Sequence, residues 1–125
     1  MRLLILFVLI GGTLCACTPD SYSTREELPD CGEEHLEDLG GPFNSTAREC
    51  FADAIESGEP AELRMYGFDE EGGVMNRTLR NLADRAEEIV ESDDLGWVWY
   101  DCSEFRVVEG PDGNPGFNGV GCSPR

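Results

Sequence analysis

The feature that most constrains this chain is the spacing of its later cysteines, Cys31, Cys50, Cys102 and Cys122. The other two cysteines, Cys15 and Cys17, close an apolar N-terminal stretch and belong to a different story. An even set of four in an exported domain of under about 100 residues predicts two disulfides. Four cysteines admit three connectivities. The sequential pattern, Cys31 with Cys50 and Cys102 with Cys122, is favoured because each pair brackets one local unit of chain and leaves the units free to pack. In the chain-entropy model a loop of either size contributes about 3 kcal/mol, a large share of the net stability of a domain with so modest a core. Zinc is a poor alternative. No CxxC pair occurs, and the single histidine, His35, lies among Glu33, Glu34, Glu37 and Asp38, without the short clustered Cys and His spacing that zinc sites use. No metal site and no cofactor are expected.

The leader explains why the cysteines can pair. Arg2 precedes the apolar run Leu3 to Ile10, and Gly11-Gly12-Thr13-Leu14-Cys15-Ala16-Cys17 supplies a small-residue exit. This is the composition of a removable secretion signal, and the run is too short to span a bilayer. Leu14-Cys15-Ala16-Cys17 resembles the bacterial lipobox, a Leu three positions before an acylated Cys. The resemblance implies a lipoprotein signal peptide over 1–16 and a diacylglyceryl group on Cys17, the first residue of the mature chain. An ordinary signal is the alternative, but Leu14 suits its cleavage rules poorly. Thr18, not Asp, follows the anchor. The expected address is therefore the cell envelope: the outer membrane if the source has one, otherwise the outer face of the cytoplasmic membrane.

Charge excludes one class of partner. Losing the leader removes only Arg2, so the formal charge moves from −17 to about −18. Such a field repels nucleic acid and raises the local concentration of cationic proteins. Solubility alone is the plainer explanation of an acidic surface.

Along the chain, 17–30 reads as a lipidated flexible tether, polar and with no apolar period, reaching about 45 Å when stretched. A single small domain is expected over 31–125. Thr46-Ala47-Arg48-Glu49 fits a capping box, and Ala47, Cys50, Phe51, Ala54 and Ile55 then share one helical face. Gly58 and Pro60 end that helix, predicted over 46–57. Strands are predicted at 61–68, with Ala61, Leu63 and Met65 facing one way, at 97–102 and at 105–108, with a return over 117–122 that a Cys102–Cys122 bond would close. Residues 76–92 are ambiguous. Leu79, Leu82, Ala83, Ala86, Ile89 and Val90 keep a helical period, which predicts a second helix at 78–91. Arg77 and Arg80 at its start and Glu87, Glu88 and Glu91 at its end nevertheless oppose the helix dipole.

Phe51, Gly58, Pro60-Ala61, Glu71-Gly72, Asp94, Gly96, Cys102 and Cys122 together resemble small bacterial lipoprotein domains of unknown function. That resemblance covers most of Cys50 to Cys122 and implies two strands around a turn at Ala83-Asp84 in place of the second helix. It carries no catalytic residue across.

No G-x-S-x-G turn, H-E-x-x-H helix or phosphate-binding loop occurs. Asp112-Gly113-Asn114 starts like a calcium loop, but Gly116 and Ser123 stand where ligands are required. Unspecific cation sites could involve Asp69, Glu70 and Glu71 or Asp93 and Asp94. Asn44-Ser45-Thr46 and Asn76-Arg77-Thr78 match the glycosylation pattern. Trp97, Trp99 and Tyr100 are candidates for an exposed platform, although alternation is expected to turn at least one tryptophan face into the core. The sequence thus predicts an α+β domain: one helix packed on a small antiparallel sheet, stapled by two disulfides. The functional expectation is an enveloped-anchored, non-catalytic binding module. Its partners would be the membrane through the lipid and a cationic protein or envelope component. The alternatives are an inhibitor of a basic hydrolase such as a lysozyme, and a small carboxylate-based enzyme.

Overall fold

The computed structural model describes residues 20–37 and 41–125. The signal peptide expected over 1–16 and the lipidation expected at Cys17 fall outside the described residues. No described helix is long and apolar enough to cross a membrane. Half of the architecture is strand, so the domain is mostly β.

The elements run α1 (Asp20–Ser23), β1 (Asp30–His35), α2 (Ser45–Ser57), β2 (Ala61–Phe68), β3 (Val74–Asn81), β4 (Ala86–Ser92), β5 (Gly96–Cys102), β6 (Glu104–Glu109), β7 (Pro115–Val120) and β8 (Ser123–Pro124). One sheet has the order β1-β2-β3-β4-β5-β8, and β6 and β7 form a separate hairpin. The expected antiparallel sheet needs one correction. β1 and β2 pair in parallel, because α2 intervenes and carries the chain back to the end at which β1 began. From β2 to β5 every neighbour is antiparallel.

α2 begins where Asn44 caps it: the Asn44 carboxamide oxygen accepts the Ala47 N–H at 3.1 Å. This replaces the predicted Thr46–Glu49 box with a cap two residues earlier. Gly58 ends the helix in the left-handed conformation (φ 71°) and returns N–H bonds to Ala54 and Ile55 carbonyls. The buried face also differs from the prediction. Ala47, Phe51 and Ala54 are buried as expected, Cys50 is exposed, and Arg48 is buried instead.

α2 lies between the sheet and the β6–β7 hairpin. Phe51, with no exposed surface, meets Phe105 and Phe117 edge-on at 5.7 and 5.0 Å between ring centroids. Ala61, Leu63, Leu79, Ala86 and Cys102 complete this core from the sheet side. Burying a side chain such as Phe51 contributes roughly 1.5–3 kcal/mol. The predicted disulfides are both present. Cys31–Cys50 ties β1 to α2, and Cys102–Cys122 closes the hairpin unit. Gly119 is small for that reason. A Cβ there would lie 2.5 Å from the Cys122 sulfur and 3.0 Å from that of Cys102.

The second helix at 78–91 does not form. The segment is the β3–β4 hairpin, turning at 82–85, where Leu82 N–H reaches Arg85 O at 2.9 Å. The charges that opposed a helix dipole are cross-strand partners. Arg80 Nε donates to Glu87 at 3.0 Å, Arg77 Nε to Glu88 at 2.7 Å, and Asn76 to Glu91 at 2.9 Å. The apparent period fails because Ile89 and Val90 serve opposite faces of a strand.

The segment expected as a free tether differs too. From residue 20 onward it crosses the sheet face opposite α2. Tyr22 packs against Trp97 with the rings tilted (4.8 Å between centroids), and its hydroxyl lies 3.1 Å from Thr78 Oγ1. Leu28 is buried, and Pro29 O accepts the Glu62 N–H at 2.9 Å.

Candidate functional site

Alternation along the strands gives the sheet two unlike faces. Ala61, Leu63 and Leu79 meet α2, while the register Glu62↔Arg80↔Glu87↔Asp101 places a row of charges on the other face. Glu62, Arg80 and Glu87 are each buried. The segment 20–29 and Arg125 close the row from its two sides. Arg25 donates through Nε and Nη2 to Glu62 (3.2 and 2.6 Å), Arg80 bridges Glu62 and Glu87, and Arg125 reaches Glu87 at 3.1 Å and Asp101 at 2.6 Å. Arg80 also donates to Glu26 O at 2.9 Å. Cation and anion alternate along the row, so each desolvated charge has an opposite partner.

These contacts shift the outer members in the expected directions. The hydrogen bond to Glu62, against the opposing cost of burial, raises the Arg25 guanidinium above its ordinary value. Hydrogen bonding to Arg125 holds the Asp101 carboxyl below its ordinary value and raises Arg125 in return. Tyr66 is raised chiefly by desolvation.

A second buried pair lies on the helix side. The Glu34 side chain has no exposed surface and accepts Arg48 Nε at 2.7 Å and Nη2 at 2.8 Å, a two-point fork. Glu34 also takes the Asn44 N–H (2.9 Å), and Arg48 Nη1 donates to Pro115 O (3.0 Å). One ion pair therefore joins β1, the start of α2 and β7. Nothing local in the sequence marks it, since Arg48 sits on a helix face otherwise lined with alanine and phenylalanine.

The candidate chemical residues are otherwise engaged in structure. His35 Nε2 lies 2.8 Å from Glu33 and its ring stacks on Tyr66 at 4.6 Å, an exposed arrangement with no triad around it. Asp69 accepts the N–H groups of Glu71 (2.9 Å) and Gly73 (2.8 Å), and Asp93 accepts that of Val74 (2.9 Å). They are turn-holding acids. Among the described residues no group of three or more His, Cys, Asp or Glu side chains could hold a metal ion. Asp112-Gly113 falls in a 3₁₀ turn, Pro111–Gly113. Of the glycosylation-like asparagines, Asn44 caps α2 and Asn76 bonds Glu91.

The aromatic platform is rearranged. Trp97 and Trp99 lie two apart on the same outer face, each half-buried, and Tyr100 is the residue that packs on the core. With Tyr22, Ile89 and Arg125 the tryptophans line a groove of about 280 Å³. Its rings are already covered in part: Tyr22 lies against Trp97, and the Arg125 guanidinium sits 4.3 Å over Trp99.

The surface left to solvent is predominantly acidic. All eight described arginines have a carboxylate partner within the domain. Glu49, Asp53 and Glu56 form an exposed stripe on α2, and Glu70, Glu71, Asp93 and Asp94 crowd the exposed turns at one end of the sheet. Compared with protein-family models, curated proteins and solved structures, the chain has no significant match.

Proposed function

We propose that this chain is a lipid-anchored cell-envelope protein, held through Cys17, that acts by binding and not by catalysis, its acidic surface receiving a cationic protein or envelope component. The observation that carries the reading is the use of arginine. Every described arginine already has a carboxylate partner within the domain, so the charge in excess, and free to meet a partner, is negative. Surfaces of one sign steer partners of the other and are screened by salt. The carboxylates that cluster in the interior are occupied by guanidinium donors, an arrangement suited to structure and not to proton transfer. If Cys17 carries the lipid, Thr18 and Pro19 alone separate it from α1, which is docked on the sheet. The domain would then ride close to the bilayer instead of at the end of a long tether.

The test is capture of envelope extract on the immobilised domain at low and at high salt. A basic partner that elutes as salt rises supports the reading. Capture of nothing salt-sensitive removes it. The intact mass of the mature protein reports the anchor separately, with acylated Cys17 as the expected N-terminus.

A further inference from the structure

We propose that the cationic partner docks at one defined place, the hairpin end of the large sheet, and that it brings an apolar side chain as well as positive charge. This deepens the reading above and rests on it. Among the described residues five large apolar side chains are exposed, and four of them belong to this end: Leu95 on its turn, the paired Phe68 and Val74 on one face of the sheet, and Met75, beside Gly67, on the other. Their placement follows from register. Phe68↔Val74 is the last pair of the β2–β3 hairpin, Ser92↔Gly96 the last of β4–β5, and Met75↔Ser92 joins the two hairpins side by side. The Val74 N–H donates to the Asp93 carboxylate at 2.9 Å, clamping one turn to the other. Leu95, 73% exposed, stands on the second turn with Asp93 and Asp94 before it.

The surroundings select the occupant. Asp69, Glu70, Glu71, Asp93 and Asp94 occupy the two turns beside Phe68, Val74 and Leu95, and none of them pairs with an arginine among the described residues. Among the described residues a second copy of this chain has no arginine without a carboxylate partner of its own, and would set acid against acid. Anionic lipid is repelled for the same reason. A segment with basic residues flanking an exposed apolar one satisfies both components, since burial of the apolar side chain gains affinity that charge in water alone does not. The α2 stripe of Glu49, Asp53 and Glu56 provides an internal contrast: it is acidic too, but among the described residues no exposed large aliphatic or aromatic side chain belongs to α2.

The experiment titrates the domain by calorimetry with two synthetic peptides of equal positive charge, one carrying leucines between its arginines and one with serine in their place. The wild type is expected to prefer the leucine peptide by about tenfold, the equivalent of partial burial of one such side chain. Leu95→Ser combined with Phe68→Ser should remove that preference while leaving the affinity for the serine peptide unchanged. Asp53→Asn with Glu56→Gln should keep the preference. Circular dichroism checks that each variant is folded. A preference that survives the Leu95/Phe68 change, or that was never present, overturns the docking site. If the serine peptide still binds in a salt-sensitive way, the acidic-surface reading stands without it, whereas failure of both peptides removes both. Co-sedimentation with phosphatidylcholine vesicles that depends on Leu95 and Phe68 would assign the patch to a bilayer and likewise overturn the proposal.

Discussion

Arg48→Met should be among the most damaging single changes in the domain, although Arg48 touches no proposed ligand. Arg48 is buried, and its fork satisfies Glu34, whose side chain has no exposed surface. Methionine keeps much of the stem's packing but leaves a buried carboxylate with one remaining donor, the Asn44 N–H, and orphans the Pro115 carbonyl. Breaking one side of a buried ion pair costs about 3–5 kcal/mol, against a total stability of about 5–15 kcal/mol for a domain of this kind. Glu34→Leu should cost a similar amount, by stranding the guanidinium. The double variant removes both charges, and its residual loss comes mainly from the Asn44 and Pro115 backbone groups, at about 1–3 kcal/mol each when fully buried. At the middle of these ranges the two single losses sum to about 8 kcal/mol against about 4 for the double variant, so the cycle should show a coupling of about 4 kcal/mol, well above the additivity error of independent sites. Urea unfolding followed by tryptophan fluorescence measures all four corners, with disulfides intact throughout. Single-variant losses under about 1 kcal/mol, or strictly additive effects, would refute the claim that this pair is a desolvated clamp among β1, α2 and β7.

Two other expectations follow from particular contacts. Arg125→Gln should raise the titration midpoint of Asp101 toward the ordinary carboxylate value, read from its carboxyl carbon by NMR. Because the folded-state value is depressed, the stabilisation is present above the unfolded value and is lost as pH falls through the folded one. The variant should accordingly lose less stability than the wild type on acidification below about pH 4, and an unchanged midpoint would dismiss the contact. Gly119→Ala should hinder closure of Cys102–Cys122, since its Cβ would meet both sulfurs. Thiol titration of the oxidised protein is expected to find free sulfhydryls in the variant and none in the wild type, and full oxidation of both would contradict the geometry.

Elements with strong local signals could be read without tertiary knowledge. α2 ends at Gly58 before Pro60 because a left-handed residue and a missing N–H stop a helix wherever they occur. β2 matches its predicted limits of 61–68, and the aromatic and β-branched residues at 97–102 and 105–108 are strands. The cysteine pairing followed because each bond closes a local unit. The apolar period over 78–91 does not make a helix, because the charges around it are better satisfied across a hairpin. Arg77, Arg80, Glu87, Glu88 and Glu91 form the signature of a hairpin, in which the start of the segment faces its end. The Thr46–Glu49 box pattern is not the cap that forms, because Asn44 lies where Glu34 of β1 can hold its N–H.

Sequence alone determined the sign of the surface, the number of sulfurs available to pair, and which stretches favour extended or helical backbone, because these depend on composition and on neighbours a few residues apart. Tertiary structure decided which acids are desolvated beside arginine, that Trp97 and Trp99 share a face, that residues 20–29 lie on the sheet, and that Phe68 and Val74 are brought to the same end of it as Leu95. Those outcomes depend on strand order and register. A period of two along one strand says which residues share a face, but not which distant strand supplies the partner across it.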